Sequence, residues 1–244
     1  MSTATLYDKG FFRGIEDGSR RSARHVLPHI FDLVAPRSVV DVGCGAGAWL
    51  AVVKELGISE ILGIDGDYVD PAQCLIPSAN FLAADIGRPL CLDRRFDLVL
   101  SLEVAEHIAP ERASTYIENL VSLGDVIAFS AAIPNQTGRG HVNEQWPDYW
   151  ADRFREKGFI AHDCLRELIW DNRDVERWYR QNLFLYVHEN RLATLPALMA
   201  AKKSVRRPLA MVHPASYMAP SLSALAQMVP GTIRRAIRRR LGKS

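Results

Sequence analysis

Short apolar runs alternate with amphipathic stretches along most of the 244-residue chain. Residues 39–42, 61–64, 81–84, 96–102, 126–133, 159–163 and 183–188 are brief and apolar, a length and composition that predict strands. The run at 96–102 is apolar enough to be covered on both faces, as strands of parallel sheets are. Helical spacing marks residues 19–33, with Val26, Leu27, Ile30, Phe31 and Val34 on one stripe despite Pro28, and Ser19 as the candidate cap. Further helices are predicted from the end of the first glycine turn to about Leu56, over 110–123 with Pro110 in the first turn, and over 147–157, stopped by Gly158. A short one is suggested at 71–76. Strands alternating with helices in this way predict an α/β fold.

The first strand carries the first chemistry. It runs through Asp41 into Gly43, Gly45 and Gly47, which fall at alternate positions before a helix begins. Glycines let the backbone approach a ligand closely, and a helix N-terminus adds free N–H groups with partial positive charge. A nucleotide cradle is the expectation. Gly43-x-Gly45-x-x-Ala48 also fits the dinucleotide fingerprint, with Asp65 about where a ribose-binding acid belongs. Two further acids favour S-adenosylmethionine over a nicotinamide. Asp41, two residues before the first glycine, can hold the ammonium of a methionine moiety, and Asp85, at the end of another apolar run, can accept from an adenine amino group.

The series V-V-D-V-G-C-G-A-G, I-L-G-I-D, F-L-A-A-D-I, F-D-L-V-L-S-L-E, between Val39 and Phe129, resembles the motifs of class I S-adenosylmethionine-dependent methyltransferases. That resemblance implies a Rossmann-like, mostly parallel seven-stranded sheet with an antiparallel last strand and helices on both faces. It implies a cofactor site built from Asp41, Gly43, Gly45, Gly47, Asp65, Gly66, Asp85, Ile86 and Leu102, with Asp65 on the ribose hydroxyls. In that class a leading segment such as residues 1–33 often folds over the cofactor; a helix packed on the sheet is the alternative.

After the fourth strand stands Glu103-Val-Ala-Glu106-His107. On one helical turn, residues i, i+3 and i+4 share a face, and two carboxylates with an imidazole converge cheaply only around a positive charge. The E-x-x-E-H run resembles the metal motif of small-RNA 3′-terminal ribose methyltransferases and of ubiquinone-biosynthesis O-methyltransferases. The resemblance implies Mg²⁺ or Mn²⁺ held by Glu103, Glu106, His107 and His141. Metal-free relatives of the class also carry E-H here, and then His107 or His141 serves as general base and Glu103 closes the cofactor pocket. Glu106, His107 and His141 are the catalytic candidates, and both versions predict O-methylation; the N/D-P-P-Y signature of N-methylation is replaced by S-L-E-V.

The acceptor is read from three runs, G-H-V-N-E-Q-W-P, I-W-D-N…W-Y-R-Q-N and V-H-P-A-S-Y. They resemble bacterial methyltransferases encoded with surface-polysaccharide assembly enzymes, which implies a sugar or glycan hydroxyl. Trp146, Trp170, Trp178 and Tyr179 are the substrate candidates, because aromatic faces suit the C–H faces of sugars; packing over the sheet is the alternative. RNA 3′-end ribose or a small phenolic metabolite is the competing acceptor.

Charge divides the chain. Residues 1–190 hold 19 Lys/Arg against 28 Asp/Glu, while 191–244 hold 11 basic residues and no acid. The expected organisation is a methyltransferase domain over 1–190 and a basic helical extension over 191–244. In the extension, Ile233, Ile237 and Leu241 form a stripe among arginines. Such a stripe fits an anionic membrane surface, RNA or plain solvation. Cys44, Cys74, Cys91 and Cys164 lack metal or disulfide spacing. With neither a signal-peptide core nor a long apolar span, the expected place is the cytoplasm, with peripheral contact at the inner membrane face.

Overall fold

The computed structural model describes residues 9–201, 210–213 and 216. Its centre is a seven-stranded sheet in the order β3-β2-β1-β4-β5-β7-β6. The strands are β1 (Ser38–Val42), β2 (Glu60–Asp65), β3 (Phe81–Ala83), β4 (Leu98–Leu102), β5 (Val126–Ser130), β6 (Phe159–His162) and β7 (Phe184–His188). All pairings are parallel except those of β7, which runs antiparallel to both β5 and β6. The expected sheet, with its antiparallel last strand, is therefore present.

Alternation along each strand feeds two cores. Val39, Leu98, Leu100, Val126, Ala128, Leu185 and Val187 face one side. There they meet α1 (Lys9–Val34), α2 (Ala48–Glu55), α5 (Arg166–Ile169), α6 (Arg177–Asn182) and α8 (Pro196–Ala200). Val40, Val42, Val99, Ile127, Phe129, Phe184 and Tyr186 face the other, against α3 (Ala113–Leu123) and α4 (Pro147–Glu156). Covering on both sides accounts for the near-continuous apolar strands.

α1 departs from its sequence reading. It begins at Lys9, ten residues before the candidate cap Ser19, and runs through Gly10, Gly14 and Gly18. Glycine disfavours helix by about 1 kcal/mol per residue, yet packing overrides that here. A Cβ on Gly18 would come within 2.7 Å of the Glu176 carboxylate. Ser22 fixes the same junction by accepting from the Glu176 N–H at 2.9 Å. α1 lies against α2 in the core on one face of the sheet. Two other predicted helices shrink: 71–76 contains only a 3₁₀ turn at Pro71–Gln73, and the turn after β4 is a 3₁₀ turn at Ala105–His107.

Beyond residue 190 the chain still packs. After α7 (Glu189–Leu192), Leu195 and Leu198 are buried in the α1 side of the core, and the compact unit extends to His213. The basic stretch 232–241 lies outside the described residues. Among those described, no helix is long and apolar enough to cross a membrane.

Candidate active site

The strand order reverses between β1 and β4, and a crevice at the carboxyl ends of strands flanking such a reversal is where α/β sheets take ligands. The turn after β1 and the turn after β4 both open there. Gly43, Gly45 and Gly47 have φ of +85°, +51° and +79°, the left-handed region that side chains rarely adopt. A Cβ on Gly43 would lie 2.5 Å from Val104, so the two turns can approach only through a glycine; one on Gly45 would meet nothing within 4 Å, because it faces the open crevice.

Two buried acids line this cradle. Asp65, at the end of β2, accepts from Gly45 N and Gly66 N, each at 2.7 Å, and from the hydroxyl of Tyr68, whose ring lies over Gly66. Asp41 is buried beneath, and desolvation with the nearby Asp65 charge pushes its carboxyl up to about 8. Ile86 and Leu102 are buried close by in sequence to Asp85 and Glu103. Asp85 itself is half-exposed; it accepts from Gly87 N at 3.0 Å and pairs with Arg88 at 3.1 Å and Arg112 at 3.4 Å. An adenine amino group would have to share that carboxylate.

Across the crevice, the E-x-x-E-H run does not form one helical face. Glu103 has φ +58°, so the chain turns sharply at the strand end before the 3₁₀ turn begins. For a non-glycine residue this conformation costs about 1–2 kcal/mol. Hydrogen bonds hold it. The Glu103 N–H donates to Ser130 O at 2.9 Å, and the carboxylate accepts from Gln136 Nε2 at 2.7 Å and Asn182 Nδ2 at 3.2 Å. Those amides are set in turn. The His213 N–H donates to Gln181 Oε1 at 2.7 Å, and Gln181 Nε2 donates to Gln136 Oε1 at 3.2 Å and Asn182 Oδ1 at 3.0 Å. Burial raises the Glu103 carboxyl while these bonds oppose the rise.

Glu106, by contrast, is 1 % exposed and its Oε2 has no hydrogen-bond partner. Desolvation, then repulsion from Glu103, pushes its carboxyl well above the usual carboxylate range. Beside it stand two imidazoles in edge contact, His107 and His141, with centroids 4.9 Å apart. His107 Nδ1 donates to Gly140 O at 3.2 Å, and burial, helped by His141, lowers its pKa. His141 Nε2 lies 4.0 Å from Glu106 Oε1. Glu106, His107 and His141 each offer an atom within 4.8 Å of the others, a geometry able to hold a metal ion; Glu103 is outside that set. The orphaned Glu106 oxygen, among nitrogen and oxygen donors, fits a divalent cation.

The loop that delivers His141 is zipped onto the turn after β4. Glu106 O accepts from Val142 N at 2.9 Å and Asn143 N at 3.0 Å. Glu144 gathers the rest: its carboxylate accepts from Asn135 N at 2.8 Å, Thr137 N at 2.9 Å and His141 Nδ1 at 2.8 Å.

The aromatic candidates separate. Trp146 is 42 % exposed just after this loop. Tyr179 is buried in the core, its hydroxyl bonded to Ser19 and Trp49, and Trp178 packs against the same core. Trp170 packs on His213 and its carbonyl accepts from Arg180 and His213. Tyr179 and Trp178 thus pack in the core over the sheet, while Trp170 packs on His213. Sequence reading missed Glu144 and Gln136 as members of the site, and it took Gln181 and Asn182 only as part of a polar, aromatic run able to bond hydroxyls, not as partners of Glu103 and Gln136.

A family model described as a methyltransferase domain matches residues 16–173, well over half of the chain. Among curated proteins, the ribosomal RNA large subunit methyltransferase E of Methanospirillum hungatei JF-1 is 28% identical over 122 residues, 41% of this chain and 59% of that protein. The mitochondrial ubiquinone biosynthesis O-methyltransferase of Dictyostelium discoideum is 29% identical over 110 residues, 38% of this chain and 34% of that protein. The chain thus spans less than two-thirds of the length of these relatives, and the match to the ribosomal RNA enzyme of Caulobacter sp. covers 25% of that protein. Two solved structures share the fold: Streptomyces venezuelae DesVI, with TM-score 0.56, 14% identity and coverage of 77% and 99% of the two chains, and the sugar N-methyltransferase KedS8 from Streptoalloteichus, with 0.55, 17%, 77% and 98%. A glycine cradle at the reversal of the sheet, two acids at successive strand ends and the family match agree: the chain belongs to the methyltransferase-domain family and has its Rossmann-like fold.

Proposed function

We propose that this methyltransferase transfers its methyl group to a hydroxyl of a sugar or glycan, with a divalent ion held by Glu106, His107 and His141. The observation that carries the reading is Glu106, a fully buried carboxylate with an unpartnered oxygen beside two imidazoles. Such a carboxylate is costly unless a positive charge or a proton meets it.

S-adenosylmethionine supplies, when bound, a methyl group activated on a sulfonium. In this reading Asp41 receives the ammonium of its methionine end, the left-handed glycine turn takes its backbone-facing edge, and Asp65 exchanges the Tyr68 hydroxyl for ribose hydroxyls. Holding donor and acceptor in line accounts for about 7–11 kcal/mol of the barrier in reactions of this kind. The acceptor hydroxyl must also lose a proton. A divalent ion such as Mg²⁺ supplies the Lewis acidity that lowers a hydroxyl's pKa. In the metal-free alternative an imidazole is the base instead: the Nε2 of His107 or of His141, the nitrogen left open where Nδ1 is hydrogen-bonded, takes the hydroxyl proton, and the same atom would be a ligand when the ion is held.

An open depression of about 390 Å³ beside His141 is lined by Thr137, Gly138, His141, Val142 and Glu144. Val142 and Trp146, 60 % and 42 % exposed, offer an apolar rim near it that suits a sugar face. The ubiquinone O-methyltransferase relative supports oxygen as the accepting atom. RNA is the second reading, favoured by the ribosomal RNA methyltransferase relatives and by the eleven basic residues of 191–244.

The test is transfer of an isotope-labelled methyl group, read by mass spectrometry, to nucleotide sugars, lipid-linked glycans and RNA oligonucleotides, with Mg²⁺ or with EDTA. Label on a sugar oxygen, lost with EDTA, is expected. Label on RNA with steep salt dependence would move the acceptor to the second reading, and turnover unchanged in EDTA would remove the ion.

A further inference from the structure

We propose that Glu144 is a positioning residue that fixes the tautomer of His141 and keeps its Nε2 available as an acceptor. The role of that nitrogen as ligand or base rests on the function proposed above; the tautomer does not.

The argument begins with what each group can donate. An ionised carboxylate only accepts hydrogen bonds, and a neutral imidazole carries one proton on one of two nitrogens. Glu144 Oε1 lies 2.8 Å from His141 Nδ1, so the proton belongs on Nδ1. Glu144 is itself held by the N–H groups of Asn135 and Thr137, two loop residues at left-handed φ of +68° and +59°, so it has little freedom to turn away. His141 Nε2 then presents a lone pair 4.0 Å from Glu106 Oε1. With the proton on Nε2 instead, that nitrogen would present an N–H toward Glu106 and could accept nothing. Glu144 thus keeps the Nε2 of His141 an acceptor.

The Gly140 carbonyl does the same for His107 through its Nδ1. One loop therefore turns both imidazoles into Nε2 acceptors around Glu106. Outer partners of this kind typically govern metal affinity by about 10–100-fold.

The experiment uses the full chain labelled with ¹⁵N, and reads long-range ¹H–¹⁵N correlations of the imidazoles, the His141 signals being assigned by their loss in His141→Gln. The expected wild-type pattern is a protonated Nδ1 and a bare Nε2. In Glu144→Gln, the Nε2–H form should gain population and Mn²⁺ affinity by electron paramagnetic resonance should fall about 10–100-fold. The thermal shift with S-adenosylhomocysteine should be unchanged, which shows that the variant is folded. A wild-type Nε2–H tautomer overturns the proposal without need of any variant. So does a Glu144→Gln protein with the wild-type tautomer and wild-type Mn²⁺ affinity. If the wild type takes up no Mn²⁺, the metal part of the proposed function falls, and the tautomer alone decides the role of Glu144.

Discussion

The two rims of the crevice solve opposite problems with buried carboxylates. On the β1–β2 rim, Asp65 has both oxygens bonded to groups within three residues of itself or to the glycine turn, so the cradle is held by backbone close at hand. On the β4–β5 rim, the carboxylates of Glu103 and Glu106 depend on residues 30 to 80 positions away. Glu103 is satisfied by Gln136 and Asn182, whereas Glu106 keeps an orphaned oxygen next to His141. Both rims also hold one acid that no described cation neutralises, Asp41 on the first and Glu106 on the second. A buried carboxyl of this kind gives up its proton when a cation meets it, which suits a site whose ligands are cations, and the two rims would take different ones. The first fits a fixed ammonium; the second fits an ion or a moving proton.

Substitutions can break this comparison. The largest effect is expected from Glu106→Gln, which should lower turnover by about 10²–10⁴-fold and abolish any Mg²⁺-dependent thermal shift while leaving the shift with S-adenosylhomocysteine intact. Loss of the cofactor shift instead would mean that the two rims are one site electrostatically. Asp65→Ala should act in reverse: calorimetry should find S-adenosylhomocysteine binding weakened by about 10²-fold or more, on the scale of about 3 kcal/mol for charged hydrogen bonds, with the metal response retained.

A smaller, graded effect concerns Asp41. Its carboxyl is raised to about 8, so below that pH the free protein holds it protonated. Binding an ammonium favours the carboxylate, which requires a proton to leave. Affinity should therefore climb between pH 6 and 8, by up to about tenfold per pH unit, and level off above. Isothermal calorimetry in buffers of differing ionisation enthalpy reads the released proton directly; no buffer dependence at pH 7 would show that Asp41 does not meet the ammonium. The smallest effect is Tyr179→Phe, expected to cost about 1 kcal/mol of unfolding free energy with KM for the acceptor unchanged. A raised KM would restore Tyr179 to the substrate side.

How legible each rim was follows from the range of its interactions. The cradle could be read directly because its demands are local. Positive φ calls for glycine, strand ends place Asp41 and Asp65, and the helix begins immediately after, all within a few residues of chain. The cluster was only half legible. The spacing of Glu103, Glu106 and His107 assumed a helical turn, but Glu103 lies at left-handed φ and its side chain goes to amides instead. His141 could be matched to Glu106 by likeness; Glu144 could not, because nothing in its neighbours marks it as the acceptor for an imidazole. The same limit applied to the aromatic run at 170–182. Its composition suits a sugar as well as a core, and only burial separates Trp146 from Tyr179.

Sequence alone determined the α/β class, the order of elements and the cradle, because periodicity and backbone conformation are properties of neighbouring residues. Tertiary structure decided where α1 begins, which acids are neutralised, and which aromatics are buried. It also decided how Gln181 and His213 come to orient the amides around Glu103. Those outcomes depend on desolvation and on the direction of hydrogen bonds between distant segments, and neither exists until the chain is folded.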